Sequence, residues 1–154
     1  MTLSNPLDSL RSLAGQTLGP SDWRTMSEDS VNRLEELTRG EARLKVDPER
    51  ARQHALAQQG GTIVPGFVTL AVGEGQLQHL LQALSPLVRL DMAAKRIRFI
   101  TPVMIDQAIH VRATVGEVKD CVDGCEMSLE LHIEVAGSNK PACVVDQVVR
   151  WYAA

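Results

Sequence analysis

Apolar and polar positions change period once along this chain, from helical spacing to strict alternation. Leu3, Leu7, Leu10 and Leu13 recur at helical spacing and predict a short amphipathic helix, which Gly15, Gly19 and Pro20 break. Trp23 follows in a short extended stretch. Ser27 predicts the cap of a second helix, with Glu28 and Asp29 at its positive end, a buried stripe of Val31, Leu34 and Leu37, and Gly40 as its stop. Asp47-Pro48-Glu49 predicts another start: Asp47 accepts as the cap and Pro48 fits the first helical position. That helix runs to about residue 59, before Gly60-Gly61. The longest helix is predicted over 66–84, with a stripe of Phe67, Leu70, Ala71, Leu77, Leu80 or Leu81, and Leu84. At 1.5 Å per residue it is about 28 Å long, enough to cross a small domain. Gly73 and Gly75 each weaken it by about 1 kcal/mol relative to alanine.

Beyond Ser85-Pro86 the period becomes two. Met127, Leu129, Leu131, Ile133 and Val135 alternate with Ser128, Glu130, His132 and Glu134, which predicts a half-buried strand. Ile109, Val111, Ala113 and Val115 do the same, and after Gly116 the phase slips to Val118, which predicts a bulge. Asp123-Gly124 predicts the hairpin turn between these strands. Further strands are expected near 95–100 and 141–152, with a turn at Gly137-Ser138-Asn139-Lys140. Helices first and an antiparallel meander afterwards make an α+β layout, in which the long helix covers the sheet's apolar face. An edge strand and a rim stay exposed, and pairing with a second copy protects them. The division expected is a helical extension over 1–20 and a single domain over 21–154.

Composition narrows the function classes. The 154 residues are 44% hydrophobic and 23% charged, as in ordinary globular chains. A formal charge of −3 offers no electrostatic reason to bind nucleic acid or anionic lipid. Three cysteines, Cys121, Cys125 and Cys143, form neither a disulfide framework nor a metal-ligand spacing, and no metal is expected. The first eighteen residues lack the apolar stretch of a signal peptide, and the segment 67–84 is too polar to span a membrane. The expected location is the cytoplasm. His54, His79, His110 and His132 read as surface histidines, and the cysteines as packing residues.

Five short pieces stand in a familiar order. They are Asp47-Pro48-Glu49-Arg50-Ala51, Gly60-Gly61-Thr62-Ile63, Gly66-Phe67 with Thr69-Leu70, Arg98-Phe99-Ile100-Thr101-Pro102-Val103, and Lys140-Pro141-Ala142. With Ser21-Asp22-Trp23 they make residues 10–152 resemble the MaoC-like dehydratases of the hotdog fold, in particular their nodulation-protein-N-like branch. The resemblance implies a curved antiparallel sheet wrapped on a central helix. It implies a dimer with the site at the subunit interface. Its substrates would be acyl thioesters of coenzyme A or acyl carrier protein, with no separate cofactor. The implied reaction adds water to a trans-2-enoyl thioester or removes it from a 3-hydroxyacyl thioester. Ile63, Gly66 and Phe67 become the expected substrate-binding residues, with the helix N–H groups near Gly66 polarising the carbonyl.

The family's proton-transferring stretch is absent. Its Asp, Asn or Gln, and His positions fall on Gly40, Ala42 and Lys45, and Pro65 stands where a His commonly precedes the helix glycine. Two candidates remain for rebuilt acid–base chemistry. Lys45, desolvated against an acyl pocket, could serve as base or amine nucleophile; otherwise it is solvated or pairs with Glu41 or Asp47. Glu74 lies on the apolar stripe of the long helix, where a carboxylate is costly unless paired. It is either a perturbed acid or base, or it reaches solvent or a partner chain. Two functions therefore stay open. One is an enzyme of the hydratase lineage with a rebuilt acid–base set. The other is a non-catalytic acyl-binding protein or a partner of a dyad-bearing homologue, as a homodimer or heterodimer.

Overall fold

The computed structural model describes residues 6–38, 61–81 and 87–152. Its elements are α1 (Pro6–Ser12), β1 (Thr17–Leu18), β2 (Arg24–Thr25), α2 (Glu28–Thr38), α3 (Gly66–Leu80), β3 (Val88–Phe99), β4 (Ala108–Cys121), β5 (Gly124–Val135) and β6 (Pro141–Tyr152). The strands form one antiparallel sheet in the order β1-β4-β5-β6-β3, and β2 also pairs with β4. With α3 packed on that sheet, this is the hotdog arrangement. The helix predicted over 47–59 lies outside the described residues.

The alternation in β4 and β5 sets the core as predicted. Ile109, Val111, Ala113 and Val115 are buried, and so are Met127, Leu129, Leu131, Ile133 and Val135. The phase slip is a register shift between Val115 and Val118. Leu10 of α1, Met26 just before α2 and Val31 within α2 join the same core. Ser27 caps α2, its Oγ accepting from the Ser30 N–H at 3.3 Å.

Three local expectations need correction. The buried face of α3 is Thr69, Gly73, Gln76 and Leu77, while Phe67 is 71% exposed and Ala71 is exposed. The apolar stripe misleads because the helix seats very closely on the sheet. A Cβ at Gly73 would stand 2.4 Å from Ile133 Cδ1, so the seam needs a residue without a side chain. The strand expected at 95–100 spans Val88–Phe99. Shifts between Asp91 and Ala93 and between Ala94 and Arg96 erase its period of two. The hairpin loop is Val122-Asp123, with Asp123 at φ 62°, and Gly124 already belongs to β5. Gly124 is required by packing: a Cβ there would fall 2.0 Å from the Trp151 carbonyl oxygen.

Candidate functional site

Residues 62–64 run beside 103–105 and aim the start of α3 at the end of β3. Val64 N donates to Val103 O at 2.8 Å, and Ile105 N donates to Thr62 O at 2.9 Å. Ile100 N donates to Ala142 O at 2.8 Å and holds the segment after β3 on β6. Between these pieces lies an apolar cavity of about 430 Å³, lined by Ile63, Gly66 and Phe67 on the helix side and by Phe99, Val103 and Ala142 on the sheet side. That volume falls in the range of small-molecule sites. The three residues expected to bind substrate are thus brought together.

Pro65 occupies the cap position of α3 without a side-chain cap, and the N–H groups of Gly66 and Phe67 have no partner among the described residues. An open helix start carries partial positive charge and aligned donors. Such a start in an apolar hollow can hold a carbonyl oxygen as negative charge builds on it. Thr69 adds a hydroxyl to the cavity wall. It is 2% exposed, and its Oγ1 has no hydrogen-bond partner among the described residues. Among the described residues, no titratable side chain lines this cavity.

The Phe99 ring sits directly over Gly66. A Cβ at position 66 would lie 2.8 Å from its Cδ1 and Cε1. Phe67 meets the same ring edge-on, with centroids 5.4 Å apart and planes at 68°. Both rings remain open to solvent, at 71% for Phe67 and 47% for Phe99.

Of the two candidates for proton transfer, only Glu74 lies among the described residues. Lys45 lies outside the described residues, as do Gly40 and Ala42. Glu74 is half-buried on α3 and tied on both oxygens: Arg89 Nη2 donates to Oε2 at 3.0 Å, and Gln147 Nε2 donates to Oε1. The same Arg89 nitrogen reaches Asp91 at 2.8 Å. Glu74 therefore lines a second hollow, of about 310 Å³, with Leu70, Val145, Gln147 and Val149, and does not meet the cavity at Gly66. A paired carboxylate explains how the stripe tolerates this residue.

One histidine reading is overturned. His110 is only 8% exposed. Trp23 stacks on it with centroids 3.8 Å apart and planes 13° apart, and its Nε2 bonds Glu134 Oε2. Arg112 Nε also approaches that oxygen, at 3.4 Å. Burial pulls the Glu134 carboxyl upward, but the His110 bond and the His110 and Arg112 charges outweigh it and leave the group below its ordinary value of 4.5. His110 and Glu134 are register partners on β4 and β5. They alternate with Ile109 and Val111, which face the core, so the couple lies on the other face of the sheet. The missed signal was Trp23, whose extended segment lays a ring over the histidine. Among the described residues, no cluster of His, Cys, Asp or Glu could hold a metal ion. Nor is any described helix long and apolar enough to cross a membrane.

Comparison with known proteins supports the fold and shows the family. The sequence profile described as "MaoC like domain" matches residues 10–136. The chain is 33% identical over 146 residues to 3-hydroxyacyl-thioester dehydratase Z of Mycobacterium tuberculosis, covering 94% of each protein. It is 28% identical over 144 residues to nodulation protein N of Rhizobium meliloti, covering 92% of this chain and 88% of that one. Among solved structures it resembles a monoamine oxidase regulatory protein from Archaeoglobus fulgius, with a TM-score of 0.74, 18% identity and 92% of each chain covered.

Proposed function

Because this chain belongs to the MaoC-like domain family, we propose that it takes acyl thioesters of coenzyme A or an acyl carrier protein into the cavity at the start of α3. The carrying observation is the uncapped, donor-bearing helix start at Gly66 and Phe67, opening into apolar walls. The thioester carbonyl accepts from those N–H groups, and the acyl chain lies against Ile63, Phe67 and Val103. No metal or separate cofactor is needed, since the thioester itself supplies the activated carbonyl. A relative named as a 3-hydroxyacyl-thioester dehydratase, aligned over nearly the whole chain, supports the same substrate class.

The reaction requires a proton donor and acceptor at C2 and C3 of the acyl group. With Gly40, Ala42 and Lys45 at the family's positions, ordinary hydratase chemistry is replaced by a rebuilt set, in which Lys45 is the foremost candidate. Glu74 is the second, acting from the adjoining hollow once Arg89 or Gln147 releases it. The substitutions also favour a second reading, a binding subunit whose partner, a homologue, brings the dyad. The chain itself is proposed to pair as a homodimer through the open edge of β3.

The test is a crotonyl-thioester assay with the purified chain, alongside direct binding. Expected is binding with hydration far below the roughly 10 per second of a typical enzyme. Turnover of that magnitude refutes the loss of ordinary hydratase chemistry. Absence of binding refutes the substrate class. A slow reaction abolished in Lys45→Ala supports rebuilt chemistry, whereas activity appearing only with a co-purified homologue supports the subunit reading.

A further inference from the structure

The ring on Gly66 bears on which acyl groups the cavity accepts. Glycine at 66 does two things at once. It opens the approach to its own N–H, and it lets the Phe99 ring close onto the backbone, because any Cβ would stand 2.8 Å from two ring carbons. The ring therefore lies beside the donors proposed to hold the carbonyl. A carbonyl oxygen at hydrogen-bond distance, about 2.9 Å from a helix N–H nitrogen, puts C2 of the acyl group only two bonds further out. A substituent on C2 projects into the shell that Phe99 fills. Phe67 meets the Phe99 ring edge-on beside it.

We propose that Phe99, seated on Gly66 and braced by Phe67, is the specificity gate of the cavity, admitting acyl thioesters unbranched at C2 and rejecting those with a C2 methyl group. This rests on the thioester reading of the cavity. Both rings present solvent-facing surface at the mouth, and a linear chain covers that surface without moving either one. A C2 methyl displaces Phe99 from Gly66 and loses the contact.

The experiment compares calorimetric binding of crotonyl-CoA and 2-methylcrotonyl-CoA to the wild type, Phe99→Ala and Phe99→Tyr, with thermal melts to verify folding. In the wild type the linear thioester binds at least about tenfold more tightly, the range set by one methyl group in a close-fitting pocket. Phe99→Ala brings the two affinities to within about threefold, chiefly by improving the branched ligand, and Phe99→Tyr retains the wild-type preference. Phe67→Ala, which removes the brace, gives an intermediate ratio. Equal affinities in the wild type, or a preference unchanged in Phe99→Ala, overturn the gate while leaving the thioester reading intact. Failure of the wild type to bind either thioester overturns both.

Discussion

At the residue scale, packing is close where α3 meets β5. Gly73 stands against Ile133, and an added methyl would meet Cδ1 at 2.4 Å and Cγ1 at 2.9 Å. Gly73→Ala should gain helix propensity yet lose about 1–3 kcal/mol to overpacking. In a chain of this size that lowers the melting temperature by about 2–4 °C per kcal/mol. Ile133→Val removes the clashing Cδ1 and alone costs about 0.5–1.5 kcal/mol. The double variant should therefore melt well above the sum of the two losses, and strict additivity in urea titrations contradicts the close seat. The thiols give a second check. Burial pushes the Cys143 thiol up to about 11, and burial followed by the Asp120 bond raises Cys125. Cys121 is partly exposed. A disulfide reagent at pH 8 should titrate one thiol quickly in the folded protein and the other two only after unfolding.

At the scale of elements, the segment from Gly15 to Met26 straps the outer edge of β4. Val115 N donates to Gln16 O, Ser21 N to Val111 O and Met26 N to Gln107 O. Gln76 on α3 reaches across to the Asp22 carbonyl at 2.7 Å. The Trp23–His110–Glu134 stack fastens the middle of this strap on the far face of the sheet. Because the folded Glu134 carboxyl lies below its ordinary value, its contribution is present above pH 4.5 and lost as the pH falls through the folded value. The stability gap between wild type and Glu134→Gln should be open at pH 7 and close on acidification below about 4.5. A gap that widens in acid is incompatible with this arrangement. Much of this scale was legible in the sequence. β4, β5 and their bulge show in alternation because one face is buried and the other wet, and α2 shows in its cap. Only the end of β3, near 95–100, showed; the part before it did not, since an edge strand with two register shifts keeps no period. Of the buried face of α3 only Leu77 showed, because close approach selects Gly73 and Thr69 over large apolar residues. The family motifs placed Gly66, Phe67 and Phe99 in order along the chain, but only the fold shows the ring resting on the glycine. His110 was misread because what buries it is a tryptophan distant in sequence.

For the whole molecule, the two edges of the sheet are treated differently. The β4 edge is covered by β1 and β2 where they pair with Ala108, Ile109, Ala113 and Thr114. β3 pairs only with β6, and its other edge is open among the described residues. Along it stand Val88, Leu90 and Met92, each about half exposed. An unprotected strand of this length with apolar side chains is a template for another strand. Covering each half-exposed side chain contributes roughly 1 kcal/mol, half the value of full burial. Several such residues, together with a row of backbone hydrogen bonds, are a sufficient basis for a symmetric pair joined β3 to β3. Light scattering on the eluting protein should accordingly give twice the mass of one chain. Met92→Glu, which forces a carboxylate into that seam, should give one chain's mass with the fold retained. Hydrogen exchange separates this contact from any other. The β3 amides that point away from β6 should be protected in the wild type and exchange rapidly in Met92→Glu, while those bonded to β6 stay protected in both. A wild type that elutes as one chain, or a dimer whose outward β3 amides exchange freely, removes the β3 edge as the joint.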